Sequence, residues 1–132
     1  MELTSQFLFI AIERTQSDLA EMLSMLRVIQ NEYEVQRIIL MIGMGLNELN
    51  KRKMSHGDIR PQNLQFLGMP NGILKLSGFS FGKIIMENDP HPYAAPEFGR
   101  KGASTRSFDM WSIGMVLVEM IYGAAHMQAI AK

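Results

Sequence analysis

HGDIRPQN, residues 56–63, is the stretch on which the fold of this chain depends, and three further segments follow it in order. They are LKLSGFSFGK at residues 74–83, PYAAPE at 92–97 and FDMWSIG at 108–114. An isolated His-x-Asp triplet is common in proteins, so the first stretch alone decides little. Four distinctive segments in one order are far more specific, and the interpretation therefore depends on the whole set.

Composition predicts one globular domain. Of the 132 residues, 47% are hydrophobic and 20% are charged, which is too apolar for a disordered protein. Thirteen basic residues balance 13 acidic ones, so no excess charge indicates a nucleic-acid or anionic-membrane partner. The sequence contains no cysteine, which excludes disulfides and thiolate metal sites. We therefore expect an intracellular, cytoplasmic protein.

The apolar runs are too short for secretion or membrane insertion. Glu2 stands where a signal peptide carries basic residues, and the apolar run that follows covers only Phe7 to Ile12. The next candidate, Ile38 to Leu46, falls short of the roughly 18 apolar residues that a membrane span requires. We expect no membrane contact.

Hydrophobic spacing predicts an α+β protein that is mainly helical. The run Phe7 to Ile12 is typical of a strand buried on both faces. A capping-box-like Thr15-Gln-Ser-Asp18 predicts the start of a helix. The residues of this helix that we expect to point inward are Leu19, Met22, Leu23, Leu26 and Ile29.

The remaining elements are two helices and a hairpin. One helix is predicted from about Glu32 to Arg52, with an apolar stripe along one side. Residues 64–67 and 73–76 flank the turn signal Asn71-Gly72, which predicts a β-hairpin. The last helix, from about Phe108 to Tyr122, is apolar on nearly every side, so it should be central.

Together the four segments resemble the lower, C-terminal lobe of a eukaryotic-type protein kinase domain of the serine/threonine kind. HGDIRPQN matches the catalytic loop HxDxxxxN, GFS at 78–80 stands where the family has DFG, and the other two segments match APE and DxWSxG. The resemblance covers nearly the whole chain. It implies that residues 1–15 form the last upper-lobe strand and the hinge, and that residues 16–132 form an incomplete lower lobe.

The resemblance also implies a site for ATP and Mg²⁺. Asp58 matches the catalytic aspartate that orients the substrate hydroxyl. Arg60 takes the place of a lysine that reaches the transferred phosphate, and Asn63 matches an asparagine that holds one Mg²⁺.

Four further residues are implied on the adenine side of that site. Ile12 falls at the gatekeeper position, and Glu13 and Thr15 fall in the hinge. Gln65 falls where an apolar side chain normally supports the adenine ring, and its amide must find partners there.

Several positions depart from the family pattern. Gly78 replaces the aspartate of DFG and offers no side-chain oxygen to a metal ion. Gly57 replaces the arginine of HRD, and Pro90 replaces a threonine that contacts the catalytic aspartate. No segment of this sequence matches the Gly-rich phosphate cover or the lysine and glutamate of the upper lobe. These departures favour a degenerate, pseudokinase-like domain.

Two hypotheses follow from these observations. In the first, the chain is a noncatalytic, pseudokinase-like module whose lower-lobe surface binds a protein partner, or a truncated relic of such a module. In the second, it is part of an active serine/threonine kinase that transfers the ATP γ-phosphate to a protein hydroxyl, with its other parts encoded elsewhere. An in-frame Gly-rich loop upstream in the gene would favour the second hypothesis.

Two structural expectations accompany either hypothesis. The resemblance implies that His56, Phe79 and Asp109 tie the catalytic loop and the activation segment to the last helix. It also implies that helices covering residues 110–121 are not encoded in this sequence. We therefore expect an exposed apolar patch of several hundred Å² that promotes self-association.

Overall fold

The computed structural model describes residues 12–68, 72–79, 92–97 and 105–130. Within these ranges the chain is α+β and mainly helical, as predicted. The elements are β1 (Ser17–Asp18), α1 (Leu19–Leu26), α2 (Glu32–Lys51), a 3₁₀ turn (Pro61–Asn63), β2 (Leu64–Leu67), β3 (Ile73–Leu76), α3 (Thr105–Tyr122) and α4 (Ala124–Ile130). The predicted strand at residues 7–12 lies outside the described residues, apart from Ile12.

The N-cap of helix α1 lies three residues later than Thr15, the residue predicted to begin its capping box. Asp18 is the N-cap, and its Oδ1 accepts a hydrogen bond from the Glu21 N–H at 2.8 Å. The cap moves because residues 16–18 pair with β2 instead, with Ser17 opposite Phe66. The residues just before the helix are therefore part of a short strand, and the Gln16 N–H donates to the Phe66 carbonyl of β2. This strand, β1, was not predicted from the sequence.

The end of α1 also differs from the prediction. Leu26 is the last helical residue and is 56% exposed, so its predicted inward position was wrong. Arg27 then adopts a positive φ of 66° and its N–H bonds to the Leu23 carbonyl, which turns the chain out of the helix. Ile29 is buried as predicted, but it lies beyond the helix, and its N–H donates to the Met120 carbonyl at 2.7 Å.

Helix α2 confirms the predicted second helix and carries the largest share of the core. The Asn31 side chain caps it by accepting from the Tyr33 N–H. Its buried side chains recur every three or four residues, as a stripe facing the core requires; they are Val35, Ile38, Ile42 and Leu46.

The predicted hairpin is also confirmed. Strands β2 and β3 pair antiparallel, from Leu64 opposite Leu76 to Leu67 opposite Ile73, and with β1 they form a three-stranded sheet. The Arg37 guanidinium of α2 donates to the Gly72 carbonyl at 2.7 Å, which fixes the start of β3 against the helix. At the other end of β3, a Cβ on Gly45 would lie 2.8 Å from Leu76 Cδ1, so glycine permits this close helix–strand approach.

Helix α3 is buried on one side and exposed on the other, so the expectation of a wholly central helix was wrong for one of its faces. Val116 and Met120 are fully buried against the core, whereas Trp111 on the opposite side is 42% exposed. The other exposed large apolar residues of α3 are Met110, Ile121 and Tyr122. A short helix, α4, follows Gly123 and was not predicted. Among the described residues, no helix combines the length and hydropathy needed to cross a bilayer.

Candidate functional site

The catalytic-like loop is held by a buried carboxylate from α3. Asp109, which is 5% exposed, accepts one hydrogen bond from the His56 N–H and one from the Gly57 N–H, both at 2.8 Å. A buried charge is tolerated when such donors satisfy it. This contact supports the predicted tie between His56 and Asp109. Residue 57 is a glycine for a reason of backbone conformation. Its φ is +83°, a value that residues with a side chain rarely adopt.

His56 lies beneath the loop with its ring on Phe79. The two ring centroids are 4.6 Å apart, and the His56 Nδ1 accepts a hydrogen bond from the Asp58 N–H at 3.2 Å. Burial lowers the pKa of His56, although the nearby charges of Asp109 and Asp58 oppose this effect. Because the pKa is lowered, the imidazole is neutral near pH 7. All three residues that were predicted to tie the structure together are thus in contact through His56.

Asp58 sits at the centre of the loop and is 1% exposed. The Asn63 side-chain N–H₂ group donates to both the main-chain carbonyl of Asp58, at 2.8 Å, and its Oδ2, at 2.7 Å. Because both partners are acceptors, the orientation of the Asn63 amide is determined. The Arg60 Nε lies 3.5 Å from Asp58 Oδ1 and supplies a positive charge. The structure therefore brings together the three residues predicted for catalysis and metal binding.

Gly78 lies directly against the Asn63 amide. Its φ is +77°, and a Cβ built on it would lie 2.5 Å from Oδ1, 2.6 Å from Cγ and 2.8 Å from Nδ2 of Asn63. The preceding residue is also fixed to Asn63, because the Ser77 N–H donates to the Asn63 carbonyl at 2.9 Å. The space next to Gly78 is thus filled by the side chain that also binds Asp58.

This donor set does not fit the Mg²⁺ ion that the family resemblance implies. Magnesium requires oxygen ligands in near-octahedral geometry, yet residue 78 has no side-chain oxygen. The Asn63 amide directs its nitrogen to Asp58, so its Oδ1, on the Gly78 side, is the one oxygen that this side chain could offer. The Asp58 carboxylate is already neighboured by an amide N–H and a guanidinium. In the described part of the chain, no group of three or more His, Cys, Asp or Glu residues could hold a metal ion. Metal binding by Asn63 stays a prediction.

The four residues predicted on the adenine side do not form one cluster. Thr15 Oγ1 donates to Gln65 Oε1 at 2.6 Å, and the Gln65 side-chain amide donates to the Gln62 carbonyl at 2.7 Å, so this amide has the partners it requires. Glu13 instead forms an ion pair with Lys75 on β3, and Ile12 is 80% exposed. Thr15 and Gln65 are therefore adjacent, and the roles of all four residues stay predictions.

A second buried polar contact was not predicted. The Tyr93 hydroxyl, in PYAAPE, donates to Glu119 Oε2 on α3, and the Ser112 hydroxyl donates to the Tyr93 carbonyl at 2.8 Å. Burial, followed by the hydrogen bond to Glu119, raises the pKa of Tyr93 well above its usual value. One signal was available in the sequence, since Glu119 is the single acid in the apolar stretch 115–121.

Comparison with known proteins gives a match over the whole chain. A family model described as "Protein kinase domain" matches residues 1–132. Glycogen synthase kinase 1 of Pyricularia oryzae is 37% identical over 99 residues, which is 68% of this chain and 25% of that protein. MAP kinase-activated protein kinase 2 of Homo sapiens is 32% identical over 101 residues, which is 70% of this chain and 25% of that protein. The chain thus matches about a quarter of the length of these curated relatives.

Proposed function

The chain belongs to the protein kinase domain family, and we propose that it is a noncatalytic, pseudokinase-like member that acts by binding another protein. The observation that carries this proposal is the contact of Gly78 with Asn63. Residue 78, which in the family supplies an oxygen ligand to the metal ion, is a glycine and supplies none. The Asn63 side chain occupies the space in which a side chain of residue 78 would lie.

The chemistry of phosphoryl transfer explains why this contact has so much weight. The reaction depends on positioning and on metal ions that neutralise charge on the phosphates. Asp58 could still orient a hydroxyl, and positioned acid–base groups contribute roughly 10²- to 10⁴-fold. Without a fitting metal site, that contribution lacks the charge neutralisation on which the transfer depends.

Thermal unfolding of the 132-residue chain with ATP, with and without Mg²⁺, tests the proposal. A ligand that binds only the native state must raise its stability, by about 2.7 kcal/mol at a concentration 100-fold above its dissociation constant. We expect the midpoint to be unchanged by ATP in the presence of Mg²⁺. A magnesium-dependent rise in the midpoint would contradict the proposal.

The alternative is that the chain is part of an active serine/threonine protein kinase. One observation favours it: Asp58, Arg60 and Asn63 are close together in one loop. The oxygen ligand that residue 78 would supply to a metal ion is nevertheless missing. Transfer of the ATP γ-phosphate to a serine-containing peptide, measured for the wild type and for Asp58→Asn, distinguishes the two functions. Equal background in both proteins supports the noncatalytic proposal, whereas transfer that Asp58→Asn abolishes supports the alternative.

The proposed protein partner would contact the exposed side of α3. Trp111 and Met110 lie next to each other there, and tryptophan is enriched among residues that dominate binding energy at protein interfaces. The absence of cysteine and of excess charge agrees with a cytoplasmic partner protein rather than nucleic acid. Self-association through the same side is the simplest form of this interaction.

A further inference from the structure

We propose that the groove between the C-terminal half of α2 and the outer edge of β3 binds an extended segment of a partner protein, which pairs with β3 as an added strand. The groove has a volume of about 870 Å³. Its apolar lining residues are Met41, Met44, Leu49, Met54, Leu76 and Phe79. None of them belongs to α3, so the inference goes beyond the proposed function and does not depend on it.

Strand β3 has one edge that no strand of the described chain covers, since the order in the sheet is β1-β2-β3. In an antiparallel pair, alternate residues turn their main-chain groups toward the partner strand. The Ser77 N–H donates to the Asn63 carbonyl at 2.9 Å, which continues the register of β2 and β3. Lys75 has the same orientation as Ser77, so Leu74 and Leu76 turn their N–H and C=O groups to the open edge.

A hydrogen bond of Leu74 supports this orientation. Its N–H donates to the Met41 Sδ of α2 at 3.3 Å, away from β2. Among the described residues, neither the Leu74 carbonyl nor the Leu76 N–H has a main-chain partner outside the ladder. Free main-chain groups at a sheet edge are a template for another strand. An added strand gains affinity from such bonds and specificity from pockets for its alternate side chains.

The side chains around the groove can adapt to an inserted apolar residue. Met44 and Met54 line it and are 62% and 49% exposed, and Ile73 on the strand side is 62% exposed. Methionine is flexible and polarisable, and it is common at surfaces that accept varied partners. A segment with apolar side chains at alternate positions would remove these three residues from water, which favours binding.

The charges around the groove favour an acidic residue in the bound segment. Lys51 and Lys75 already have acidic partners, Glu48 and Glu13. Arg52 also lines the groove and forms no ion pair with any residue of the described chain. Because a guanidinium binds a carboxylate through two parallel hydrogen bonds, we expect a glutamate or aspartate beside the apolar positions of the partner segment.

Selection from a library of random peptides of about nine residues, the length of one strand, tests the proposal on the 132-residue chain. We expect the selected peptides to have apolar residues at alternate positions and at least one acid. Met44→Glu should weaken their binding at least about tenfold, because it places a charge in the groove. Met25→Glu is the matched control, since Met25 is 71% exposed on α1 and lies outside the groove. It should leave the affinity unchanged.

A scan of single N-methyl groups along a selected peptide tests the main-chain pairing. Methylation of the amide that donates to the Leu74 carbonyl should weaken binding about tenfold, whereas methylation of the two neighbouring amides, which point away from β3, should have little effect. An equal effect at every amide, selected peptides without an acid, or unchanged affinity in Met44→Glu would overturn the inference.

A second copy of the chain is the competing occupant. If no peptide is selected and Met44→Glu abolishes self-association in sedimentation velocity, the groove binds another copy and the inference is wrong. No nucleotide takes part in these measurements, so they can fail independently of the test of the proposed function.

Discussion

The Asp109 carboxylate on α3 accepts a hydrogen bond from the main-chain N–H of His56, 53 residues earlier in the chain, at 2.8 Å. Its other oxygen accepts from Gly57, so two loop donors are satisfied by one side chain. Hydrogen bonds to a charged acceptor are stronger than neutral ones. The shape of the loop therefore depends on a helix that follows it by some fifty residues.

Asp109→Asn should lower the free energy of unfolding by about 2–3 kcal/mol, because an amide places its N–H₂ group against one of the two N–H donors. Urea unfolding measures the change. Glu48→Gln, which removes the charge of an exposed ion pair with Lys51, serves as the control and should leave the midpoint nearly unchanged. A small effect of Asp109→Asn would show that the loop is held by other contacts.

Tyr93→Phe should destabilise the protein by about 1–3 kcal/mol, since it leaves the buried Glu119 carboxylate without the hydroxyl donor. Chemical denaturation of Tyr93→Phe, Glu119→Gln and the double variant measures the coupling. If the two changes are additive, the hydroxyl–carboxylate contact contributes nothing of its own.

The raised pKa of Tyr93 also predicts a loss of stability at alkaline pH. The unfolded state releases the phenol proton near pH 10, whereas the folded state retains it. The stability from this residue is therefore complete below pH 10 and decreases as the pH rises above it. Unfolding free energies between pH 9 and 11 should show a smaller decrease in Tyr93→Phe than in the wild type.

The lowered pKa of His56 predicts the opposite dependence at acidic pH. The unfolded state gains a proton near pH 6.5 and the folded state does not, so stability is complete above this pH and decreases as the pH falls below it. Urea unfolding between pH 7.5 and 5.5 measures this slope. His56→Leu should flatten it, and His126→Gln, on the exposed side of α4, should retain it.

Gly78→Asp should not restore phosphate transfer, although it recreates the family's DFG aspartate at that position. The new side chain would lie against Asn63. In addition, no segment of this sequence matches the Gly-rich phosphate cover or the upper-lobe lysine on which transfer depends. The measurement is incorporation of γ-phosphate into a serine-containing peptide, compared with the same variant carrying Asp58→Asn. Transfer above that background would refute the prediction.

Trp111→Lys should reduce self-association, because it places a charge in the exposed apolar side of α3. Sedimentation velocity over a range of concentrations measures the effect. Tyr33→Lys changes an aromatic residue of α2 that is even more exposed, so it is the matched control and should not alter association. A wild-type chain that stays monomeric at every concentration would exclude self-association through this surface.

The sequence by itself determined the elements whose signals are local. The i, i+3, i+4 spacing of apolar residues gave α2, the Asn71-Gly72 turn signal gave the hairpin, and the order of four motifs gave the family. The helix and the hairpin depend on residues close together in the chain, where periodicity and turn chemistry are sufficient. The family followed from the order of short motifs that can each be read without knowing what they contact.

Only the tertiary structure decided the contacts between distant segments. Asp18 became the cap of α1 because β2 takes up the residues before it, and Tyr93 found Glu119 because PYAAPE packs on α3. The sequence showed that Gly78 lacks a ligand oxygen, but not that Asn63 fills the space beside it. Such contacts depend on how helices and loops pack in three dimensions. No local pattern in the sequence specifies which distant side chains come within contact distance of each other.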